Sequence, residues 1–203
     1  MNQLRCADLR GGDILLKVSD GSIFSKVISL SERLRGQLNP LITHAGVMFD
    51  KTYIIEALEH GISGGDLRVQ DKAFGYMVYR PTADFIARGA ATCAKMMFDI
   101  HQTNGTIKYN FPLTAIAPGG MGKAKSAGAM DRLLDGFLNA RGHRLYCSQF
   151  VVYTFQFVAE QNNMPPARFF NANDARVSPS NLASLLQANP NFREAGYLMP
   201  NQR

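Results

Sequence analysis

Short apolar runs separated by turn residues dominate the first half of the chain and predict β-strands. The clearest are the runs 41–49 and 52–58, which predict a hairpin that turns at Asp50-Lys51. The other elements predicted for this half are strands at 14–18, 66–69 and 75–80, a helix over 22–35 and a loop at 61–65.

Helical spacing of apolar residues dominates the second half of the chain. Residues 83–102 repeat an apolar position every three or four residues, and the segments 123–139 and 147–158 do the same. Ser178 and Pro179 have the residue types typical of an N-cap and a first helical position. Strands followed by helices predict an α+β fold, an antiparallel β-sheet packed against helices, in one domain over residues 1–203.

Charge changes this picture little. The 203 residues carry a net charge of +6 with a pI near 9.4, which suits nucleic acid, an anionic membrane surface or an acidic polymer as partner. The basic residues are scattered, with no long basic run and no alternation with aromatic residues, so nucleic acid is not predicted.

Cysteine usage and hydropathy restrict the chemistry further. The three cysteines, Cys6, Cys93 and Cys147, are widely spaced without a CxxC pair, so neither a disulfide framework nor a metal site is predicted, and no cofactor is predicted. No signal peptide and no membrane-spanning run is recognised, so the protein is expected in the cytoplasm by default, or exported or injected by a non-classical route.

Cys147 begins the most apolar of the predicted helices. Unpaired backbone N–H groups and the positive end of the helix dipole favour the thiolate at such a position, and the thiolate is the nucleophilic form. The alternative is an inert cysteine buried in a core, which is the interpretation adopted for Cys93. A nucleophile needs a base, for which His44 is the candidate and His143 the rival.

His44 and Glu56 lie on the two strands of the predicted hairpin. They share a face only if the numbers of paired residues add to an even value, as in 44 with 56 or 46 with 56, whereas a slip by one residue separates them. Glu56 lies between Ile54 and Leu58, so it needs a polar partner unless it simply faces water. Gly46 is expected to leave space beside the imidazole.

Six segments, in this order, resemble the circularly permuted branch of the NlpC-type papain-like cysteine hydrolases, which is related to the lecithin-retinol acyltransferase-like proteins. The resemblance covers roughly residues 11 to 186 and departs from the family at Gln149, where an acidic residue is common, and at a helical insertion at about 119–141. The segments are Gly12-Asp13-Ile14-Leu15-Leu16, Thr43-His44-Ala45-Gly46-Val47, Ile54-Ile55-Glu56-Ala57, Lys108-Tyr109-Asn110-Phe111, Tyr146-Cys147-Ser148-Gln149-Phe150-Val151 and Ser178-Pro179.

This resemblance implies a permuted papain-like fold in which the histidine strand precedes the cysteine helix. It also implies that Cys147 is the nucleophile, His44 the base and Glu56 the orienting residue of a catalytic triad. Tyr146, Tyr109 and Ser148 are then expected at the substrate cleft.

The activity that the resemblance implies is hydrolysis of an amide bond in peptidoglycan stem peptides through a thioester acyl-enzyme, as in an antibacterial effector. A thiol acyl hydrolase or acyltransferase acting on lipids is the alternative, and a non-enzymatic binding module is the third. The expected partners are a peptidoglycan peptide or a lipid acyl substrate, with an inhibitor or immunity protein as a further candidate. Nucleic acid and an integral membrane segment are not expected.

Overall fold

The computed structural model describes residues 2–18, 42–69, 75–105, 107–109, 121–126 and 143–198. The predicted helix over 22–35 lies outside these ranges. Within them, the strands are β1 (Gln3–Leu4), β2 (Ile14–Val18), β3 (Ile42–Met48), β4 (Tyr53–Leu58), β5 (Gly61–Asp66), β6 (Tyr76–Pro81), β7 (Ile107–Tyr109), β8 (His143–Leu145) and β9 (Phe192–Leu198), and the α-helices are α1 (Asp84–Asn104), α2 (Cys147–Gln161) and α3 (Pro179–Ala188).

Seven of the strands in the described ranges form one mixed sheet in the order β1-β9-β6-β2-β3-β4-β5. β1 and β9 are parallel, and every other neighbouring pair in this sheet is antiparallel. A separate parallel pair joins β7 to β8. With the helices, this arrangement confirms the α+β class that the sequence predicts. The predicted antiparallel sheet is corrected to a mixed one, because β1 pairs with β9 in the parallel direction.

The main hydrophobic core lies between one face of the sheet and the three helices. The sheet contributes residues such as Val47 and Ile55, while α2 contributes Phe150 and Phe155. A second, smaller core includes Leu15, Met48 and Ile54. It is separate from the first because successive side chains of a strand point to opposite faces of the sheet. No helix in the described part of the chain is long and apolar enough to cross a bilayer.

Helix α1 follows the predicted apolar stripe closely. Ile86, Ala90, Cys93 and Met97 are buried along it, and the helix ends at Gly105, whose φ of 63° is the left-handed conformation that glycine adopts without strain. Burial raises the pKa of the Cys93 thiol to about 12. Cys93 is therefore a core thiol, as predicted.

A glycine turn fixes the start of β2 against α1. Gly12 has a φ of +86°, and a Cβ atom there would lie 2.3 Å from the carbonyl oxygen of Ala87. The next residue, Asp13, is fully buried and accepts hydrogen bonds from Arg80 Nε at 2.8 Å and Nη2 at 2.6 Å. The turn thus ties the amino end of β2 to both α1 and β6.

Three predicted elements differ from the structure. Of the strand predicted over 66–69, only Asp66 lies in a strand, at the end of β5, and 67–69 form a turn. Residues 61–65, expected as a loop, belong to β5, which pairs with β4 along six residues from Tyr53↔Asp66 to Leu58↔Gly61. The ring of Tyr53 lies where a Cβ of Gly64 would be, so an aromatic side chain covers this glycine-rich strand. Of the helix predicted over 123–139, only 123–126 is described, and these residues are irregular.

Candidate active site

Cys147 occupies the first position of α2. Tyr146 before it is extended, with φ −112° and ψ 168°, and its side chain makes no capping hydrogen bond to the first turn. The backbone N–H groups at the start of a helix have no intrahelical partner, so they remain directed at whatever lies before the helix. Cys147 is 2% exposed and lies where these donors and the helix dipole favour a negative charge.

His44 and Glu56 share one face of the sheet, because the register of β3 and β4 has the even parity that this requires. Gly46 is paired with Glu56 and Met48 with Ile54. The turn between the strands is centred on Lys51, and Phe49 N donates to Tyr53 O at 2.8 Å. The register that the sequence left open is therefore the one that brings His44 and Glu56 together.

The carboxylate of Glu56 contacts the imidazole directly. His44 Nε2 lies 3.2 Å from Glu56 Oε1, and the two side chains are 16% and 8% exposed. The distance is that of an ion pair, but the N–H direction does not meet hydrogen-bond geometry. Nε2 thus faces Glu56, which leaves Nδ1 as the ring nitrogen that is available to another partner.

Gly46 makes this contact sterically feasible, although not in the way expected from the sequence. A Cβ atom at position 46 would lie 2.7 Å from Glu56 Cγ and 2.8 Å from Ile54 Cδ1. The space that glycine leaves is therefore filled by the side chains of the neighbouring strand, rather than lying open beside the imidazole. Glycine at this position lets Glu56 reach along the sheet to His44.

The third member of the group is Cys147, which interacts with His44 both by charge and by a side-chain hydrogen bond. Burial lowers the pKa of His44, but the charges of Cys147 and Glu56 and the hydrogen bond to Cys147 outweigh it and raise the pKa to about 10. The imidazole is consequently positive at neutral pH, with a sulfur on one side and a carboxylate on the other. An imidazolium beside a cysteine stabilises the thiolate form of the sulfur.

This arrangement contains the parts that acyl transfer requires. A thiolate can attack a carbonyl carbon, an imidazolium can protonate a leaving group, and a carboxylate can hold the ring in one orientation. The N–H groups at the start of α2 can stabilise an oxyanion that forms beside the sulfur. The described residues contain no group of three His, Cys, Asp or Glu side chains that could hold a metal ion.

Of the three residues predicted to line a substrate cleft, the structure describes the side chains of Tyr146 and Ser148 but not that of Tyr109. Tyr146 and Ser148 are fully buried, and their hydroxyls donate to the carbonyl oxygens of Asp174 at 3.1 Å and Val177 at 2.6 Å. Both therefore attach the start of α2 to the residues that precede α3, a role that does not need contact with substrate. The side chains of Tyr109 and His143 lie outside the described part of the structure.

Asp174 is a residue of this region that sequence reasoning missed. Its side chain is fully buried and accepts from Gln149 Nε2 at 2.9 Å. A single aspartate in a segment of mixed polarity gives no signal of burial in the sequence, so nothing there pointed to Asp174.

Two polar cavities lie away from the cysteine. One of about 760 Å³ runs beside β1 and β9, and one of about 220 Å³ lies near the start of α1. Both are lined by Arg10, Arg80 and Arg193, and neither includes Cys147, His44 or Glu56. The chemistry of the cysteine site is thus independent of these cavities.

Comparison with known proteins gives no match: no family model and no curated protein is similar to this chain.

Proposed function

We propose that this protein is a cysteine hydrolase with a permuted papain-like fold, which cleaves an amide bond through a thioester at Cys147. The observation that supports the proposal is the convergence of Cys147 and Glu56 on one imidazole, whose pKa is raised to about 10. The order of the elements agrees with it, since β3 and β4 precede α2 in the chain.

In the first half of the reaction, the thiolate of Cys147 attacks the carbonyl carbon of the scissile amide. A carbon–sulfur bond forms, and the electron pair of the carbonyl moves to oxygen, where the N–H groups of the first turn of α2 stabilise it. His44 then donates its proton to the amide nitrogen, the carbon–nitrogen bond breaks, and the amine leaves. The enzyme holds the acyl group as a thioester.

In the second half, His44 is neutral and acts as a base. It takes a proton from a water molecule, which attacks the thioester carbon and releases the acid and the thiolate. Glu56 holds the ring in place throughout and stabilises its positive form. No other group is required for the cycle to return to the imidazolium and thiolate.

The substrate class we propose is the peptide stem of peptidoglycan. The support is the resemblance of the motifs to the NlpC-type hydrolases, together with a net charge of +6, which suits an anionic cell-wall polymer.

Incubation with purified peptidoglycan fragments tests this assignment. Release of new free amino termini by the wild-type protein, and its loss in Cys147→Ala, is the expected result. Cys93→Ala is the matched control, because Cys93 is a buried thiol without a histidine partner, and this variant is expected to keep the activity. Release that persists in Cys147→Ala, or no release at all, contradicts the proposal for this substrate.

An acyl hydrolase or acyltransferase acting on lipids is the second candidate. Leu58 favours it, since this residue is 37% exposed and lies two positions after Glu56, on the same face of β4. Fatty acid released from phospholipid vesicles, or an acyl group on Cys147 detected by mass spectrometry, would identify this activity. Leu58→Ser is expected to weaken lipid turnover and to leave peptide cleavage unchanged.

A further inference from the structure

A buried ion pair supports the start of the nucleophile helix. Asp174 Oδ1 lies 2.7 Å from Lys125 Nζ, with the carboxylate fully buried and the lysine side chain 25% exposed. The other oxygen, Oδ2, accepts from Gln149 Nε2 at 2.9 Å, and the backbone carbonyl of Asp174 accepts from Tyr146 Oη at 3.1 Å. Tyr146 and Gln149 lie on either side of Cys147, so Asp174 is bonded to the chain before and after the nucleophile.

The charge of Asp174 conflicts with the proposed chemistry unless it is neutralised. A carboxylate near the first turn of α2 repels a thiolate there, and it does so strongly because little water screens it. The ammonium of Lys125 provides the opposite charge at short range. The amide of Gln149 can donate to a carboxylate, whereas an acidic residue at 149 would add a second negative charge.

Lys125 comes from a part of the chain that is fixed to the same turn. In the segment 121–126, Met121 O accepts from Asn173 N at 2.9 Å, and a Cβ atom on Gly122 would lie 3.3 Å from Asn173 Cβ. Met121 and Gly122 thus attach the segment to Asn173, and Lys125 attaches it to Asp174. It is the described portion of the insertion predicted at about 119–141.

We propose that Asp174 and Lys125 are positioning residues for Cys147. Asp174 holds Tyr146 and Gln149 in place, and Lys125 cancels the carboxylate charge beside the first turn of α2. The inference rests on the proposed function, in that it takes Cys147 as the nucleophile, and it makes residues 121–126 part of the site.

The test measures how the rate of Cys147 alkylation by iodoacetamide depends on pH, with the modified residue identified by mass spectrometry. A unit charge roughly 10 Å from a thiolate, at an effective dielectric constant of about 20, shifts its titration by about one pH unit. Lys125→Met leaves an uncompensated carboxylate and is expected to move the midpoint of the alkylation profile up by about that amount. Asp174→Asn leaves an uncompensated ammonium and is expected to move it down.

Two further variants separate charge from folding. The double variant Lys125→Met/Asp174→Asn leaves neither charge, so its midpoint is expected to return to the wild-type value, and Lys125→Arg is expected to match the wild type. Lys95→Met is the matched control, because it breaks the exposed Lys95–Asp99 pair of α1, and no shift is expected. Circular dichroism shows which variants are folded. If Lys125→Met is unfolded, the midpoints of Asp174→Asn and of the double variant decide whether the charge of the pair acts on Cys147.

The outcomes distinguish this inference from the proposed function. Opposite shifts in the two single variants, with recovery in the double variant, support the positioning pair. Shifts in the same direction, or unchanged midpoints with only a loss of stability, overturn it while leaving the hydrolase proposal intact. If wild-type Cys147 reacts at pH 6.5 no faster than in the denatured chain, the hydrolase proposal itself fails.

Discussion

Two ion pairs of the described structure, Asp13–Arg80 and His44–Glu56, differ in how completely their polar groups are bonded. Asp13 and Arg80 are joined by two N–H···O bonds of 2.8 and 2.6 Å, and Arg10 N donates a further bond of 2.9 Å to the same carboxylate. His44 and Glu56 share a single contact of 3.2 Å that lacks hydrogen-bond alignment.

The difference lies in what each pair leaves available. Arg80 Nη2 also donates to the carbonyl oxygen of Asp8 at 2.8 Å. The Asp13–Arg80 pair therefore holds the turn before β2, and its guanidinium has no proton to give. The hydrogen bond to Asp13 comes first among the causes that raise the pKa of Arg80. The imidazole instead divides its interactions between Glu56 and Cys147, and a proton on it can move.

Removal of the imidazole is expected to have the largest effect. His44→Gln removes the cation beside the sulfur and the general acid, so alkylation of Cys147 at pH 6.5 and amide hydrolysis should fall by about 10³-fold, within the range of general acid–base catalysis. Initial rates by mass spectrometry and by amine release measure both. The exposed His60 supplies the control His60→Gln, and a His44→Gln variant that keeps more than about a tenth of wild-type activity would exclude His44 as the base.

Disruption of the Asp13–Arg80 pair should act on stability instead. Arg80→Met leaves the buried carboxylate of Asp13 unpaired, which is expected to lower the free energy of unfolding by about 3 kcal/mol. Urea denaturation measures this loss, and alkylation of Cys147 in the folded variant should match the wild type. Arg68→Met, which breaks the exposed Arg68–Asp66 pair, is expected to cost much less, because water screens an exposed ion pair. Equal losses in the two variants would contradict this distinction between the pairs.

Glu56→Gln sharpens the comparison, because it keeps the shape of the side chain and removes its charge. The carboxylate stabilises the imidazolium by its charge, so hydrolysis is expected to fall about 10- to 100-fold, a loss of about 1.4–2.7 kcal/mol. The pKa of His44, followed by NMR, should fall from about 10 towards its ordinary value, since Glu56 is one of the charges that raise it. The exposed Glu59 provides the control Glu59→Gln, and an unchanged His44 pKa would remove Glu56 from the triad.

Gly46→Ala tests the space that Glu56 occupies. The added methyl group would lie 2.7 Å from Glu56 Cγ, and overpacking of this kind costs about 1–2 kcal/mol. A smaller loss of hydrolysis than in Glu56→Gln is expected, since the carboxylate is displaced rather than removed. Gly46→Ala/Glu56→Asp should recover part of the stability, whereas a double variant with no recovery would place the clash at Ile54.

The smallest effect on hydrolysis is expected from a change of pH within the neutral range. Between pH 7 and 9, His44 stays protonated because its pKa is about 10, so its contribution to hydrolysis is constant there and is lost above pH 10. Its folded-state pKa exceeds the ordinary 6.5, so the stability that it contributes is complete below about pH 6.5 and is lost as the pH rises through about 10. Denaturation of wild-type protein and His44→Gln at pH 6.5 and 10.5 measures this, and a difference that grows with pH would contradict the sign.

The local parts of the site could be predicted from the sequence and the long-range parts could not. Because side chains alternate along β3 and β4, His44 and Glu56 lie either on the same face of the sheet or on opposite faces, depending on the register. The apolar run that begins at Cys147 places this residue at the start of a helix. β5 was missed because glycine is a poor strand former alone and the ring that covers Gly64 comes from Tyr53 on another strand. The Asp174–Lys125 contact has no local signal, since it joins a short 3-10 helix, Asp174–Arg176, to an irregular segment far away in the chain.

The order of the strands and the cysteine helix also matters during synthesis. β3 and β4 leave the ribosome before α2, and domains begin to fold from the amino-terminal end while translation continues. A chain that is interrupted before Cys147 therefore carries the imidazole and its carboxylate but lacks the sulfur. Under the proposed function, an incomplete translation product of this kind has no thiol to form the thioester and is expected to be inactive.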